Sequence, residues 1–265
     1  MRFPFIDLQA QRAVIADNVE AALKRVLEHG QFILGPEVTQ FEQQLADFEG
    51  GGHAVSCANG TDALILPLKA WGIGRGDVVF CPSWTYAATA EAIAVIGATP
   101  YFVDINPQTY NICPASLRAA INASDNPKAI IAVDLFGQPA DYPAIRAIAD
   151  EFKLKLIADS AQGMGCRLNG KAPIEWADVV TTSFFPAKPL GCYGDGGAML
   201  TKDEDLKYKL LSLRFHGRGT APGDHAQIGL NSRLDTMQAA ILIEKLNIFA
   251  DEIKARNRIA NRYSD

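Results

Sequence analysis

Residues 53–82 read HAVSCANGTDALILPLKAWGIGRGDVVFCP. A short apolar run at 54–57 gives way to Asn59, Gly60 and Thr61, then to a helical pattern over 61–71. Glycines at 72, 74 and 76 break that pattern before a second apolar run at 78–81. Strand, crossover helix and strand in so short a span is the unit from which parallel sheets are built, because parallel neighbours cannot be joined by a tight turn. The runs carry little polar alternation, which predicts strands covered on both faces.

The same grammar continues outward. Further strands are predicted at 101–104, 129–134 and 155–159, with helices near 86–96, 114–122 and 141–152. Two more strands are expected at 179–184 and 198–201, and Asp195, Gly196 and Gly197 suit a tight turn joining them. Toward the N-terminus, Ile15, Val19, Leu23, Val26 and Leu27 mark a helix over 13–29 that stops at Gly30. A second helix starts at Pro36, places Val38, Phe41, Leu45 and Phe48 on one face, and breaks at Gly50–Gly52. Residues 234–262 read as one long helix. The class is α/β, a mainly parallel central sheet with flanking helices.

Composition narrows the function classes. The chain has 265 residues, 48% of them apolar, enough for one large α/β domain or two small ones. A formal net charge of -5 argues against nucleic acid or an anionic membrane as partner and leaves small molecules. The opening MRFPFIDLQAQR lacks the features of a signal peptide, and no apolar run approaches a membrane span, so a cytoplasmic protein is expected. Five cysteines scattered singly give neither a zinc motif nor a disulfide framework, and no metal is expected.

In open parallel sheets ligands bind outside the carboxyl ends of the strands. After the first strand, Asn59, Gly60, Thr61 and Asp62 stand directly before a helix, where free N–H groups can hold a phosphate; an ordinary N-cap by Thr61 or Asn59 explains the same residues. After the second, Trp84, Thr85 and Tyr86 place aromatics either against a flat ring or in the core. Asp159 ends the fifth strand, ahead of Ser160, Ala161 and Gln162; buried there, its carboxylate needs a cation, whether an arginine or a ligand nitrogen.

The next strand runs into SFFPAKPLGCYGDGG, residues 183–197. Lys188 lies between Pro186 and Pro189 among Phe184, Phe185, Ala187 and Leu190, neighbours that cannot hydrate it. The prolines predict a stiff, extended backbone around the amine, which makes Lys188 a candidate nucleophile. A phosphate cradle, a stacking aromatic, a buried aspartate and such a lysine together describe a pyridoxal 5'-phosphate (PLP) site. Lys188 would hold the cofactor as a Schiff base, Asp159 would keep the ring nitrogen protonated, and Gly60, Thr61 and Ser183 would anchor the phosphate. A nicotinamide-dependent sugar enzyme would want G-x-G-x-x-G after an early strand; Gly163, Gly165 and Gly170 have the wrong spacing and follow the fifth.

With SFFPAKPLGCYGDGG, the runs CANGTDAL at 57–64, ADSAQGMG at 158–165 and GLNSRLDTMQAAIL at 229–242 resemble the sugar-nucleotide aminotransferases of PLP fold type I, the aspartate-aminotransferase-like fold. The resemblance extends from FIDL at 5–8 and GQFILGPEV at 30–38 to the final helix. It implies Lys188 as the Schiff-base lysine, Asp159 as the ring-nitrogen partner, Gln162 beside the ring hydroxyl, Tyr86 as the stacking aromatic, and Ser183, Gly60 and Thr61 as phosphate binders. It further implies a homodimer with shared sites, in which Asn231 reaches the phosphate in the neighbouring subunit. Arg233, in the same motif, is a candidate for the nucleotide sugar or for a structural salt bridge. His216 and Arg218, in FHGRG, are candidates for an anionic substrate or members of a solvated loop.

The subgroup most similar aminates C3 of a UDP-linked 2-acetamido-3-oxo-hexuronate with L-glutamate, giving 2-oxoglutarate, for surface polysaccharide such as O-antigen. A 4-keto substrate, or a truncated PLP-binding relative without turnover, are the alternatives. The resemblance implies a PLP-binding large domain over 1–233. The helix from 234 to 265 would lead toward a smaller C-terminal domain that is expected to be missing here.

Overall fold

The computed structural model describes residues 6–221 and 223–264; the first five residues, including Phe5 of the FIDL run, with Pro222 and Asp265, lie outside the described residues. Two helices come first. α1 (Leu8–His29) is capped by Asp7, whose side chain accepts from the Ala10 N–H, and ends at Gly30 with φ 70°, a left-handed value that glycine adopts without strain. α2 (Pro36–Phe48) has its proline at the first turn, where the missing N–H costs nothing.

The chain then alternates as expected: β1 (His53–Cys57), α3 (Gly60–Ala70), β2 (Val78–Pro82), α4 (Ala88–Val95), β3 (Thr99–Val103), α5 (Pro114–Asn122), β4 (Pro127–Val133), α6 (Tyr142–Phe152), β5 (Lys155–Asp159), β6 (Val179–Ser183), β7 (Gly197–Thr201), α7 (Glu204–Leu213) and α8 (Thr236–Ser264). The seven strands form one sheet in the order β1-β7-β6-β5-β4-β2-β3. The strands from β6 across to β3 are parallel, whereas β7 is antiparallel to both β1 and β6. The central strands β4, β5 and β6 are buried almost throughout, as near-continuous apolar runs require when helices cover both faces.

α8 and α2 pack over one face of the sheet in the largest apolar cluster, which includes Phe41, Leu45, Phe80, Leu156, Phe184 and Phe249. α3 and α7 cover the other face with Leu66, Leu206 and Leu210. α1 joins through Ile15 and Val19 against Ile241 of α8.

Two expectations are corrected and one helix is added. Asp195, Gly196 and Gly197 do not form a tight hairpin: β6 ends at Ser183, Gly197 already belongs to β7 opposite it, and residues 184–196 make a long connection. Lys188 is not in an extended run: its N–H donates to the Phe185 carbonyl at 2.8 Å, closing a turn with Pro186 at the second position, where a fixed φ favours turning. α7 was not expected, although Asp203 caps it by accepting from the Leu206 N–H and Leu206, Leu210 and Leu213 are buried at helical spacing.

Candidate active site

The carboxyl ends of β1, β2, β4, β5 and β6 open on a cavity of about 600 Å³, within the range of small-molecule sites. Gly60, Thr61, Tyr86, Asp159, Gln162, Ser183 and Lys188 all line it. Seven of the candidates drawn from separated stretches of sequence therefore meet at one place.

One end of the cavity is built by close packing. A Cβ on Gly60 would lie 2.6 Å from the Ser183 Cβ, and one on Gly197 would lie 2.4 Å from the Asn59 carbonyl oxygen. The start of α3 thus sits against the end of β6 at a distance that only glycine permits. Asn59 caps the helix, its side-chain oxygen accepting from the Asp62 N–H at 2.8 Å, so the ordinary capping role holds for that residue. The first-turn N–H groups of Gly60 and Thr61 have no intrahelical acceptor, and both residues line the cavity with Ser183, whose hydroxyl oxygen would lie 3.0 Å from a Cβ on Gly60. A helix N-terminus with a neighbouring hydroxyl fits a phosphate.

Asp159 lies at the floor, 7% exposed. Its Oδ1 accepts from the Ala161 N–H at 3.1 Å and its Oδ2 from the Thr89 hydroxyl at 3.4 Å. Burial raises its pKa, opposed by the Ala161 hydrogen bond, the charge of Lys188 and the Thr89 hydroxyl. Among the described residues it has no arginine or lysine within ion-pair distance, so pairing with an arginine is not its arrangement. A buried carboxylate so placed fits a protonated ring nitrogen.

Gln162, in the loop after β5, is held from the turn that follows the neighbouring strand β4. Its Oε1 accepts from the Phe136 N–H at 2.9 Å, which leaves the amide N–H₂ as the group free for the cavity. Phe136 holds φ 58° and an exposed ring, a costly conformation for a bulky residue, and lines the same cavity. Lys188, half-buried, holds its Nζ 5.9 Å from the centre of the Tyr86 ring. Tyr86 is 71% exposed and so has a free face toward the cavity mouth. Thr85 also lines the cavity and bonds Thr89 at 2.9 Å, whereas Trp84 is not part of the wall. The whole set suits a flat ring with an anionic group at one end and a basic nitrogen at the other.

Asn231, Arg233, His216 and Arg218 do not line this cavity. They gather around Phe215, which makes an antiparallel bridge with Asn231 and carries the guanidinium of Arg233 at 4.6 Å and that of Arg218 at 5.4 Å from its ring centre. Arg233 is not in a salt bridge among the described residues. His216 is exposed with φ 58°, and its carbonyl accepts from the His225 ring.

Thr89, Phe136 and Arg256 were not singled out from the sequence. Thr89 and Phe136 act on Asp159 and Gln162 from other elements, and Arg256 comes from α8, far along the chain. Below the floor lies Asp134, fully buried, whose carboxylate accepts from the Ala140 N–H at 3.0 Å, the Tyr142 hydroxyl at 2.6 Å and the Ser160 hydroxyl. It ties the turn bearing Phe136 to the loop bearing Gln162.

Residues 14–265 match the model of the DegT/DnrJ/EryC1/StrS aminotransferase family. The chain is 51% identical to a UDP-2-acetamido-2-deoxy-3-oxo-D-glucuronate aminotransferase of Pseudomonas aeruginosa, over 98% of its own length and 71% of that protein's. It is 42% identical to a UDP-N-acetyl-3-dehydro-alpha-D-glucosamine 3-aminotransferase of Acidithiobacillus ferrooxidans, over 99% of this chain and 70% of the other. A crystal structure of an aminotransferase from Brucella abortus superposes with a TM-score of 0.97 at 52% identity, covering 99% of this chain and 72% of that one.

Proposed function

The chain belongs to the DegT/DnrJ/EryC1/StrS aminotransferase family, and from that premise we propose that it moves an amino group from L-glutamate to C3 of a UDP-linked 2-acetamido-3-oxo-hexuronate. The observation that carries the chemistry is the meeting of Lys188, Asp159 and the Gly60–Thr61–Ser183 cradle in one cavity. The substrate rests on the name of the 51%-identical relative, and a 4-oxo sugar is the second choice.

Pyridoxal 5'-phosphate, the cofactor of this class, supplies an electron sink and a carrier for the amino group. Lys188 would hold it covalently through Nζ. The N–H groups of Gly60 and Thr61 and the Ser183 hydroxyl would bind its phosphate. The Asp159 carboxylate would keep a proton on the ring nitrogen, gaining the counter-charge that its burial demands. The Gln162 amide, with its oxygen taken by Phe136, would donate to the ring hydroxyl. Tyr86 would cover the ring face and help keep water from the reacting carbon. Lys188 Nζ, once free of the cofactor, would take the proton from the amino-bearing carbon of the donor and return it on the other side of the transfer.

Asn231, away from this chain's cavity, would complete the cofactor's phosphate site in a second copy, giving a homodimer with shared sites. No helix among the described residues is long and apolar enough to cross a membrane. The product would be a nucleotide-linked amino sugar made in the cytoplasm for lipopolysaccharide O-antigen. The division into a large domain over 1–233 and a helix from 234 leading to a second domain belongs to the same proposal.

The test is to incubate the PLP-loaded protein with glutamate and a panel of 3-oxo and 4-oxo UDP sugars, following 2-oxoglutarate and the aminated sugar by mass. Amino transfer favouring the 3-oxo-hexuronate is expected. Cofactor retention without any transfer would leave a PLP-binding relative in its place.

A further inference from the structure

Among the described residues two cations line the cavity, Lys188 and Arg256. Lys188 is committed to the cofactor in the reading above, on which this inference rests. Arg256 projects from α8, which passes beside the Gln162 loop: a Cβ on Gly165 would lie 2.5 Å from Ile253 Cδ1 and 3.3 Å from Phe249 Cε1. That packing fixes the helix one turn before Arg256. Lys254 and Glu244 of α8 have partners, Asp251 at 2.9 Å and Arg25 at 3.7 Å, and of the arginines on this helix Arg256 is the one that lines the cavity. Arg256 makes no ion pair and no side-chain hydrogen bond among the described residues. It is exposed to the cavity and sits on a different element from the phosphate cradle.

We propose that Arg256 receives the carboxylate of the incoming substrate. A guanidinium matches a carboxylate with two parallel N–H···O bonds, a recognition that neither lysine nor a backbone amide reproduces. An aminotransferase of this kind admits its two substrates in turn to one cavity. L-glutamate and the proposed hexuronate have no common skeleton, but each bears a carboxylate. One unpaired guanidinium in the wall can therefore serve the donor, the sugar acid or both.

The test uses PLP-loaded protein and binding, not turnover. Dissociation constants are measured for glutarate against glutaramide, and for UDP-glucuronate against UDP-glucose, in the native protein and in Arg256→Gln and Arg256→Lys. In at least one pair the native protein should favour the carboxylate by about 10- to 100-fold, the worth of a charged hydrogen-bonded pair. Arg256→Gln should lose that preference and Arg256→Lys keep part of it, while the cofactor's absorbance and the Tm stay unchanged. Loss confined to the glutarate pair identifies the donor carboxylate, and loss confined to the nucleotide pair the sugar carboxylate. An undiminished preference in Arg256→Gln, or no preference in the native protein, overturns the assignment. A native protein that shows the preference but transfers no amino group would sink the aminotransferase reading and leave Arg256 as a carboxylate receptor.

Discussion

Lys188 Nζ stands 5.9 Å from the centre of the Tyr86 ring, across the cavity mouth from the floor that Asp159 makes. The amine and the ring come from the loop after β6 and the segment after β2, so the sheet, not local sequence, sets their separation. Lys188→Ala removes both the covalent anchor and the proton carrier. It should fold normally, release PLP on desalting, and lose at least about 10²- to 10⁴-fold in amino-transfer rate from the missing proton transfer alone. Retention of the cofactor through desalting would contradict the role.

The contact between Gly60 and Ser183 gives a second test. Gly60→Ala would put a methyl group 2.6 Å from the Ser183 Cβ, so α3 or β6 must shift. Overpacking of this kind costs about 1–3 kcal/mol, and the shift would spread the groups proposed to hold the phosphate. A lower Tm and weaker PLP binding are expected together, read by thermal melts and by PLP titration. Unchanged values for both would show that the junction is looser than the backbone indicates.

The strands were legible because β4, β5 and β6 are buried on both faces and must read as apolar runs. Asp159 and Lys188 were legible for a related reason: each is a charge in apolar surroundings, which no packing argument explains. The turn at Lys188 was not, since proline restricts the residue before it toward extended backbone and also favours the second position of a turn, and here Pro186 in the turn prevailed. The supposed hairpin at Asp195–Gly197 failed because Gly196 and Gly197 serve close packing, against Leu234 and Phe184 and against Asn59. Thr89 and Phe136 carried no local signal, since their partners Asp159 and Gln162 lie on other elements.

Thr89 donates to Asp159 Oδ2 at 3.4 Å while bonding Thr85 at 2.9 Å. Thr89→Val keeps the shape and removes the hydroxyl. The loss of one weak hydrogen bond to a charged group, on the order of 1 kcal/mol, should weaken the ionised form of Asp159 and lower kcat several-fold with the cofactor still bound. Steady-state rates and the cofactor's absorbance distinguish this from simple unfolding. A kcat equal to that of the native protein would assign Thr89 to packing alone.

Asn231 lies with Phe215, away from the cavity of its own chain. If it completes the partner's site, Lys188→Ala and Asn231→Ala should each be inactive alone. Mixed after subunit exchange, they should recover up to about one quarter of native activity, because half the dimers are mixed and one of their two sites carries neither change. No recovery despite demonstrated exchange would place Asn231 outside the shared site.

Asp134 gives the pH test. Burial pushes its carboxyl up to about 7, against the hydrogen bonds from Ser160, Tyr142 and Ala140 that favour ionisation. Unfolded, it would titrate near 3.9, so between about pH 4 and 7 the folded state binds more protons than the unfolded state. Stability attributable to Asp134 must then fall as pH rises through that window, by up to about 1.4 kcal/mol per pH unit. Asp134→Asn keeps the shape and removes the titration. Denaturant unfolding of both proteins from about pH 4 to 8 should show the native protein losing stability relative to the variant as pH rises, then levelling above about pH 7. A difference that stays constant across the window would mean that the three donors hold Asp134 ionised throughout. The turn bearing Phe136 and the loop bearing Gln162 would then be tied together by a charge rather than by a proton shared within the network.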